Sequence, residues 1–174
     1  MTNTKNKQMS FPELADWVIS RTLKAGANDC RVNISKKRLV EINYRDHKPE
    51  IIKEATTQGL YLEVFINNRY AGQSTPDFRQ STLDGFITGL ISSAGIMEED
   101  PARTLPDPKY YEGRSTADLQ LSDPDYSQLT PEERHSMTKV VEEACLQKGG
   151  DKVISVEAGE YDESNEEYIK SSNG

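Results

Sequence analysis

Gly59-Leu60-Tyr61-Leu62-Glu63-Val64-Phe65-Ile66, then Asn67-Asn68, then Arg69-Tyr70-Ala71-Gly72-Gln73-Ser74 is the stretch that decides the fold class. Branched and aromatic side chains fill its first half, and a pair of asparagines stands where a tight reversal needs positive backbone angles. It reads as the strongest strand of the chain, a turn and a returning partner strand. Working back, Cys30, Val32 and Ile34 alternate with polar residues, and Val40, Ile42 and Tyr44 do so again. Lys36-Lys37-Arg38 lies between the two runs, so the pattern predicts a hairpin with one wet face and the basic triplet at its tip. Arg45 to Pro49 reads as a loop and Ile51 to Thr57 as a weaker strand. Four or five consecutive strands with no helix between them predict an antiparallel meander.

Helices flank this meander. Ser10-Phe11-Pro12-Glu13 has the form of a capping box, in which the Ser oxygen meets the N3 amide and the Glu reaches back. Leu14, Trp17, Val18, Thr22 and Ala25 follow at helical spacing, and Gly26 suits a left-handed C-terminal cap. Trp17 is expected as a core anchor. Leu83, Phe86, Ile87, Leu90, Ile91 and Ala94 give a second stripe, with Ser81 as its expected N-cap and Gly95 as its stop. Gly85 and Gly89 within it would permit close backbone approach or simply loosen local packing. Thr130-Pro131-Glu132-Glu133 is a second capping box, opening a helix whose expected buried face is Met137, Val140, Val141, Ala144 and Cys145. Gly149-Gly150 ends it. Val153 to Tyr161 then alternates, Asp162 to Glu166 is expected to turn, and Tyr168 to Ser172 to return as a final β-hairpin.

The whole is an α+β architecture: helix, antiparallel meander of four to five strands, helix, long loop, helix and closing β-hairpin. The expected divisions are a flexible N-terminus at 1–9, a helix–sheet–helix body at 10–97, an irregular acidic and Pro-containing connection at 98–129, and a helix plus hairpin at 130–174. A strand ending in Asn173-Gly174 has the look of one about to turn and continue. That predicts a further, C-terminal domain and leaves the last strands as an open sheet edge.

The 174 residues carry 29 acidic and 21 basic side chains, a net charge of −8. Residues 1–97 are net +3 and residues 98–174 net −11, so the acidity sits in the second half. Direct nucleic-acid binding calls for a concentrated basic patch, and Lys36-Lys37-Arg38 reads as solvated turn charge instead. No apolar run approaches the ~20 residues of a membrane helix. Met1 to Ser10 lacks the apolar stretch of a secretory signal. Cys30 and Cys145 read as free thiols, which fits a reducing cytoplasm.

No catalytic constellation emerges. His135 follows Glu132 and Glu133, but positions 131 and 139 are Pro131 and Lys139, so no second histidine shares its face. His47 lies in the loop after the first hairpin. Both read as surface histidines. Glu98-Glu99 and Glu142-Glu143 are neighbours that point apart, as solvated charge does. The acidic run Glu157, Glu160, Asp162, Glu163, Glu166 and Glu167 lacks the alternating oxygens and glycine of a calcium loop. No catalytic, cofactor-binding or metal-binding residue is assigned to this segment.

Four stretches carry a resemblance, and their order strengthens it. "GANDCRVNISKKRLVEIN" resembles a family's first hairpin after its N-terminal helix. "TTQGLYLEVFINNRYAGQSTPDF" resembles its Gly-led strand, hairpin and helix start. "STADLQLSDPDYSQLTPEE" is similar to its Asp-Leu-x-Leu-x-Asp-Pro segment, and "VEAGEYDESNEEYIKSSNG" looks like its strand pair ending in a Ser-x-Gly turn. The family is TldD/PmbA (TldD/TldE), also labelled modulators of DNA gyrase. The resemblance covers nearly all of the chain but only the N-terminal domain of that architecture. Asp118-Leu119-Gln120-Leu121-Ser122-Asp123-Pro124 leans towards the PmbA-like branch.

That resemblance implies a cytosolic zinc metallopeptidase system acting on unfolded peptides. Its metal site is a His-Glu-x-x-x-His helix in a following domain of the TldD-type subunit, which associates with a PmbA-type partner lacking the site. None of those residues occurs here, so zinc is implied for the complete assembly and not for this segment. The gyrase label brings no mechanism that these residues support. The expected role is therefore a non-catalytic N-terminal domain serving assembly and substrate access, as a homo-oligomer or with a TldD/PmbA-like partner. Peptide would bind along a strand edge, without nucleic acid or membrane. The alternative is a free-standing acidic interaction domain without proteolysis; a small independent hydrolase finds no motif to support it.

Overall fold

The computed structural model describes residues 9–113 and 115–174. Of the expected flexible stretch 1–9, residues 1–8 lie outside the described ones. The elements run α1 (Phe11–Lys24), β1 (Asp29–Arg45), β2 (Lys48–Ile66), β3 (Arg69–Thr75), α2 (Gln80–Gly95), α3 (Pro131–Gly149) and β4 (Glu157–Ser171). The strands form one sheet in the order β3-β2-β1-β4. β3 returns antiparallel along the end of β2, from Ile66 opposite Arg69 to Leu60 opposite Thr75. β4 meets β1 through Arg45–Glu157, Lys37–Glu163, Asn33–Glu167 and Cys30–Ser172. One number falls as the other rises, so this pair is antiparallel too. The α+β class with an antiparallel sheet is what the chain adopts.

Within that class, two expected reversals are absent. Lys36-Lys37-Arg38 is not a hairpin tip: β1 passes straight through it for 17 residues, and β2 joins the two strands expected at 51–57 and 59–66. The reversal falls instead at Asp46-His47, with φ of 52° and 61°, matched by Asn67-Asn68 at 47° and 62°. These are the positive angles that a two-residue hairpin turn demands, and the basic triplet has no residue that adopts them readily. The closing hairpin is also a single strand. Asp162 to Glu166 stays extended because Asp162 is held by Arg134 and Glu163 by Lys37.

The described residues fall into two compact units. One draws on residues 9–36, 57–113 and 166–174, the other on residues 37–56 and 115–165. In the first, α1 opens on the expected capping box. Glu13 N–H donates to Ser10 Oγ at 3.5 Å, and Ser10 N–H donates to Glu13 Oε2 at 2.8 Å. Its Leu14, Ala15 and Val18 pack with Leu83, Ile87 and Leu90 of α2 onto Cys30, Val32, Ile34, Leu60, Leu62 and Val64 of the sheet. Trp17 is half-buried against this core. α2 starts two residues earlier than expected, at Gln80, with Arg79 and not Ser81 at the N-cap position. Asp77 does related work upstream, accepting from the Arg79 N–H and the Thr82 hydroxyl. A Cβ on Gly85 or Gly89 would meet nothing within 4 Å, so neither glycine marks a close approach.

The second unit has a small apolar core of Val40, Ile42 and Tyr44. α3 starts on the expected box, with Glu133 N–H donating to Thr130 Oγ1 at 3.2 Å and Thr130 N–H to Glu133 Oε2 at 2.8 Å. Its burial, however, is the reverse of the expectation. Arg134, Thr138 and Glu142 are buried, while Met137, Val140 and Val141 are 47%, 60% and 54% exposed, and Cys145 is exposed as well. The cause is charge: the neighbouring strand is acidic, and α3 turns its one well-placed guanidinium towards it.

Several carboxylates are held below their ordinary range: Asp77 chiefly by the Arg79 side chain, Glu133 by the Thr130 backbone amide, and Glu163 by Lys37. A depressed carboxylate adds stability above its unfolded pKa of about 4 and loses it as pH falls through the folded value. Melting temperature is therefore expected to hold at neutral pH and to drop progressively below about pH 4. A circular-dichroism melt series from neutral to strongly acidic buffer checks this, and a flat profile would refute it.

Candidate functional site

Each compact unit presents one arrangement of chemically able side chains. In the first unit, Arg31 Nε lies 2.5 Å from Glu63 Oε2, and the Tyr70 hydroxyl donates to Glu63 Oε1 at 2.9 Å. The Tyr61 and Tyr70 hydroxyls stand 3.1 Å apart, and the Arg103 guanidinium lies 4.3 Å from the Tyr70 ring centre. Gly72 makes this meeting possible, since a Cβ there would sit 2.3 Å from the Tyr61 hydroxyl. Tyr70 is pushed well above the usual phenol range, first by burial and then by its bonds to Tyr61 and Glu63. It serves as a neutral donor, the opposite of an activated nucleophile or base. Sequence reading missed this network. Period-two spacing across the Asn67-Asn68 turn places Glu63 near Tyr70, but Arg103 lies in irregular chain and carries no periodic signal.

Cys30 is fully buried, and its thiol is pushed up to about 12, chiefly by burial. Its backbone N–H donates to Ser172 Oγ at 3.1 Å. Cys145 is exposed. Since the thiolate is the reactive form, Ellman's reagent is expected to titrate one thiol per folded chain and two in guanidinium. Two reactive thiols without denaturant would contradict the buried site.

In the second unit, Arg134 is the centre. Its Nε and Nη2 donate to Asp162 Oδ2 at 2.9 and 2.5 Å, its Nη1 donates to the Leu129 carbonyl at 2.6 Å, and Glu160 Oε1 lies 3.9 Å away. At the other end of the same helix face, Glu142 Oε1 accepts from the His47 N–H at 3.0 Å, securing the Asp46-His47 turn. The His47 ring is exposed, its Nδ1 3.7 Å from Glu142 Oε2. His135 is more than a surface histidine. It packs edge-on against Tyr44 at 5.8 Å, with its Nδ1 3.2 Å from the Tyr44 hydroxyl. Four acidic residues of β4 are likewise occupied: Glu157 by Arg45, Asp162 by Arg134, Glu163 by Lys37 and Glu167 by Asn33. Lys37 and Arg38 of the basic triplet serve as such partners, Arg38 to Glu54 and Tyr126.

The donors present do not fit zinc. His47 and His135 face different partners, and among the described residues no three His, Cys, Asp or Glu side chains converge as a metal site. A structural or catalytic zinc needs three or four protein ligands converging at about 2 Å. What these residues offer is surface: the outer side of α3, the edge of β4, and the stretch of β2 beyond the reach of β3.

No family model and no curated protein matches the chain. Solved structures do. A candidate modulator of DNA gyrase from Bacteroides thetaiotaomicron is 30% identical over 94% of this chain, with a TM-score of 0.85. The chain is similar to a domain of these TldD/PmbA-type proteins. A candidate modulator of a DNA gyrase from Thermotoga maritima (13% identity, 95% of this chain, TM-score 0.75) shares its fold. So does TldE from Thermococcus kodakarensis (13%, 92%, 0.74). The chain spans 37%, 36% and 35% of those three chains, so each relative carries most of its length outside the match.

Proposed function

We propose that this TldD/PmbA domain is the non-catalytic N-terminal part of a zinc metallopeptidase system for unfolded peptides, of the PmbA-like branch. Its work is assembly and the shaping of substrate access. The observation that supports this best is the match itself: nearly all of this chain corresponds to about a third of its relatives, and the side chains it contributes suit docking better than bond cleavage. Three large apolar residues of α3 face outward, and β2 runs as an exposed strand from Lys48 to Thr57 apart from half-covered Ala55. Unpaired strand backbone can accept an extended peptide by β-addition with little help from side chains. Zinc belongs, in this reading, to the assembly and not to these residues, and the setting is cytoplasmic. Among the described residues no helix is long and apolar enough to cross a membrane. Three acids of β4, Glu157, Glu163 and Asp162, already answer Arg45, Lys37 and Arg134, which weighs against a free acidic domain that holds basic partners.

The test uses this chain together with the portion of the Bacteroides relative that lies outside the match. Mixed at micromolar concentration, the two are expected to co-elute. The chain alone, with zinc added, is expected to leave fluorescein-labelled casein intact. Separate elution overturns the assembly role, and zinc-dependent cleavage by this chain alone overturns the non-catalytic one.

A further inference from the structure

Of the eight described arginines, seven hold a carboxylate as an ion pair and Arg103 does not. Its position is nonetheless fixed. The Arg103 N–H donates to the Asp100 carbonyl at 3.1 Å, the Asp100 N–H donates to the Asn68 carbonyl at 2.6 Å, and the guanidinium lies over the Tyr70 ring. Farther along the same segment, Asn173 Nδ2 donates to the Pro106 carbonyl at 2.9 Å. Arg103 and Leu105 border a hollow of about 170 Å3 whose other walls include Arg31, Glu63, Phe65 and Tyr70. Glu63 and Phe65 alternate with the buried Leu62 and Val64, so this is the sheet face opposite α1 and α2. A second hollow of about 410 Å3 shares Phe65, Arg103 and Leu105 with it. Charge selects the ligand. Arg31 and the Tyr70 hydroxyl both spend themselves on Glu63, so the smaller hollow keeps one net positive charge, at Arg103. Asp29, in the wall of the larger hollow, accepts from Ser172 Oγ at 2.9 Å and leaves that side negative. We propose that the smaller hollow binds a carboxylate bearing a short apolar tail, with the carboxylate on the Arg103 guanidinium and the tail along Phe65 and Leu105. A planar guanidinium matches a carboxylate edge to edge. A dianionic phosphate would meet Glu63 and Asp29 with a single uncommitted cation to offset them. Two sources share the chemistry, the C-terminal residue of a peptide and a free short-chain acid. The inference uses no part of the family reading, so its failure would leave the co-elution test above unaffected.

The test is a titration of the isotope-labelled chain at constant ionic strength, followed by amide chemical shifts. N-acetyl-leucine and isovalerate are the carboxylate probes, and N-acetyl-leucinamide is the neutral one. Both acids are expected to shift the Phe65, Tyr70 and Arg103 amides saturably below about 50 mM, and the neutral amide is not. Arg103→Ala is expected to weaken binding about tenfold, the loss of one charge-assisted contact. Lys24→Ala removes an exposed cation on α1 and should leave binding unchanged. Arg103 is exposed, so its variant should keep the far-ultraviolet spectrum of the parent. Tighter binding of N-acetyl-leucine than of isovalerate assigns the hollow to a peptide terminus, and the reverse order assigns it to a free acid. The absence of a saturable shift overturns the proposal. So does equal binding of the neutral amide, an affinity indifferent to Arg103→Ala, or an equal loss on Lys24→Ala.

Discussion

Arg134→Ala is expected to destabilise the second unit by about 3–5 kcal/mol, the usual effect of removing one partner from a buried ion pair. The Arg134 side chain is 3% exposed and Asp162 12%. Without the guanidinium, Asp162 and Glu160 would lose the cation they share, and the Leu129 carbonyl would lose its donor. The charged partners, more than the lost packing, set the size of the effect. Arg134→Ala combined with Asp162→Ala should therefore recover a substantial part of the loss. Guanidinium unfolding followed by circular dichroism measures both. Trp17, the single tryptophan, belongs to the first unit and gives that unit its own fluorescence signal. A single-variant loss below about 1 kcal/mol would show the pair to be no stronger than a surface salt bridge.

Leu62→Ala should cost the first unit about 2–5 kcal/mol, the range for emptying a buried leucine site. Leu62 is fully buried on β2, the strand between β1 and β3, within the cluster shared by α1 and α2. Helices and strands converge on it, so the site has little freedom to collapse and the cavity contribution should be near the upper end. The readout is the guanidinium midpoint of Trp17 fluorescence. A shift smaller than that of an exposed control such as Ile52→Ala, 62% exposed in the native chain, would contradict the placement.

How legible this was depends on which physical signal each element carried. Both capping boxes folded as read, because a short hydroxyl and a carboxylate three residues on satisfy each other locally wherever the helix lies. The α2 stripe and the alternation in β2 also held, since an apolar face needs no knowledge of its partner. The missed reversal at Lys36-Lys37-Arg38 was recoverable: Cys30, Val32, Ile34, Val40, Ile42 and Tyr44 are all even-numbered, as one uninterrupted strand keeps them. Charge at 36 and 38 interrupts the buried face, not the strand. α3 was not recoverable from its own pattern. Its orientation is set by Asp162 and by the His47 amide, groups 28 and 95 positions distant in sequence. Periodicity within one helix contains nothing about either. The same holds for Arg103 on Tyr70. The sequence assigns no site residue, and what the described residues add is exposed surface on α3, β4 and β2.

The clasp between Cys30 and Ser172 has a kinetic side. Cys30 N–H donates to Ser172 Oγ, Ser172 N–H returns to the Cys30 carbonyl at 2.8 Å, and Ser172 Oγ donates to Asp29. The partners are 142 residues apart, so β1 emerges from the ribosome long before the strand that covers its flank. At about 5–20 residues per second, that flank waits some 7–30 seconds with its amides unpaired. Contacts of such long sequence separation also slow folding once the chain is complete. During that interval the uncovered flank of β1 is an open sheet edge, and β4 closes it last.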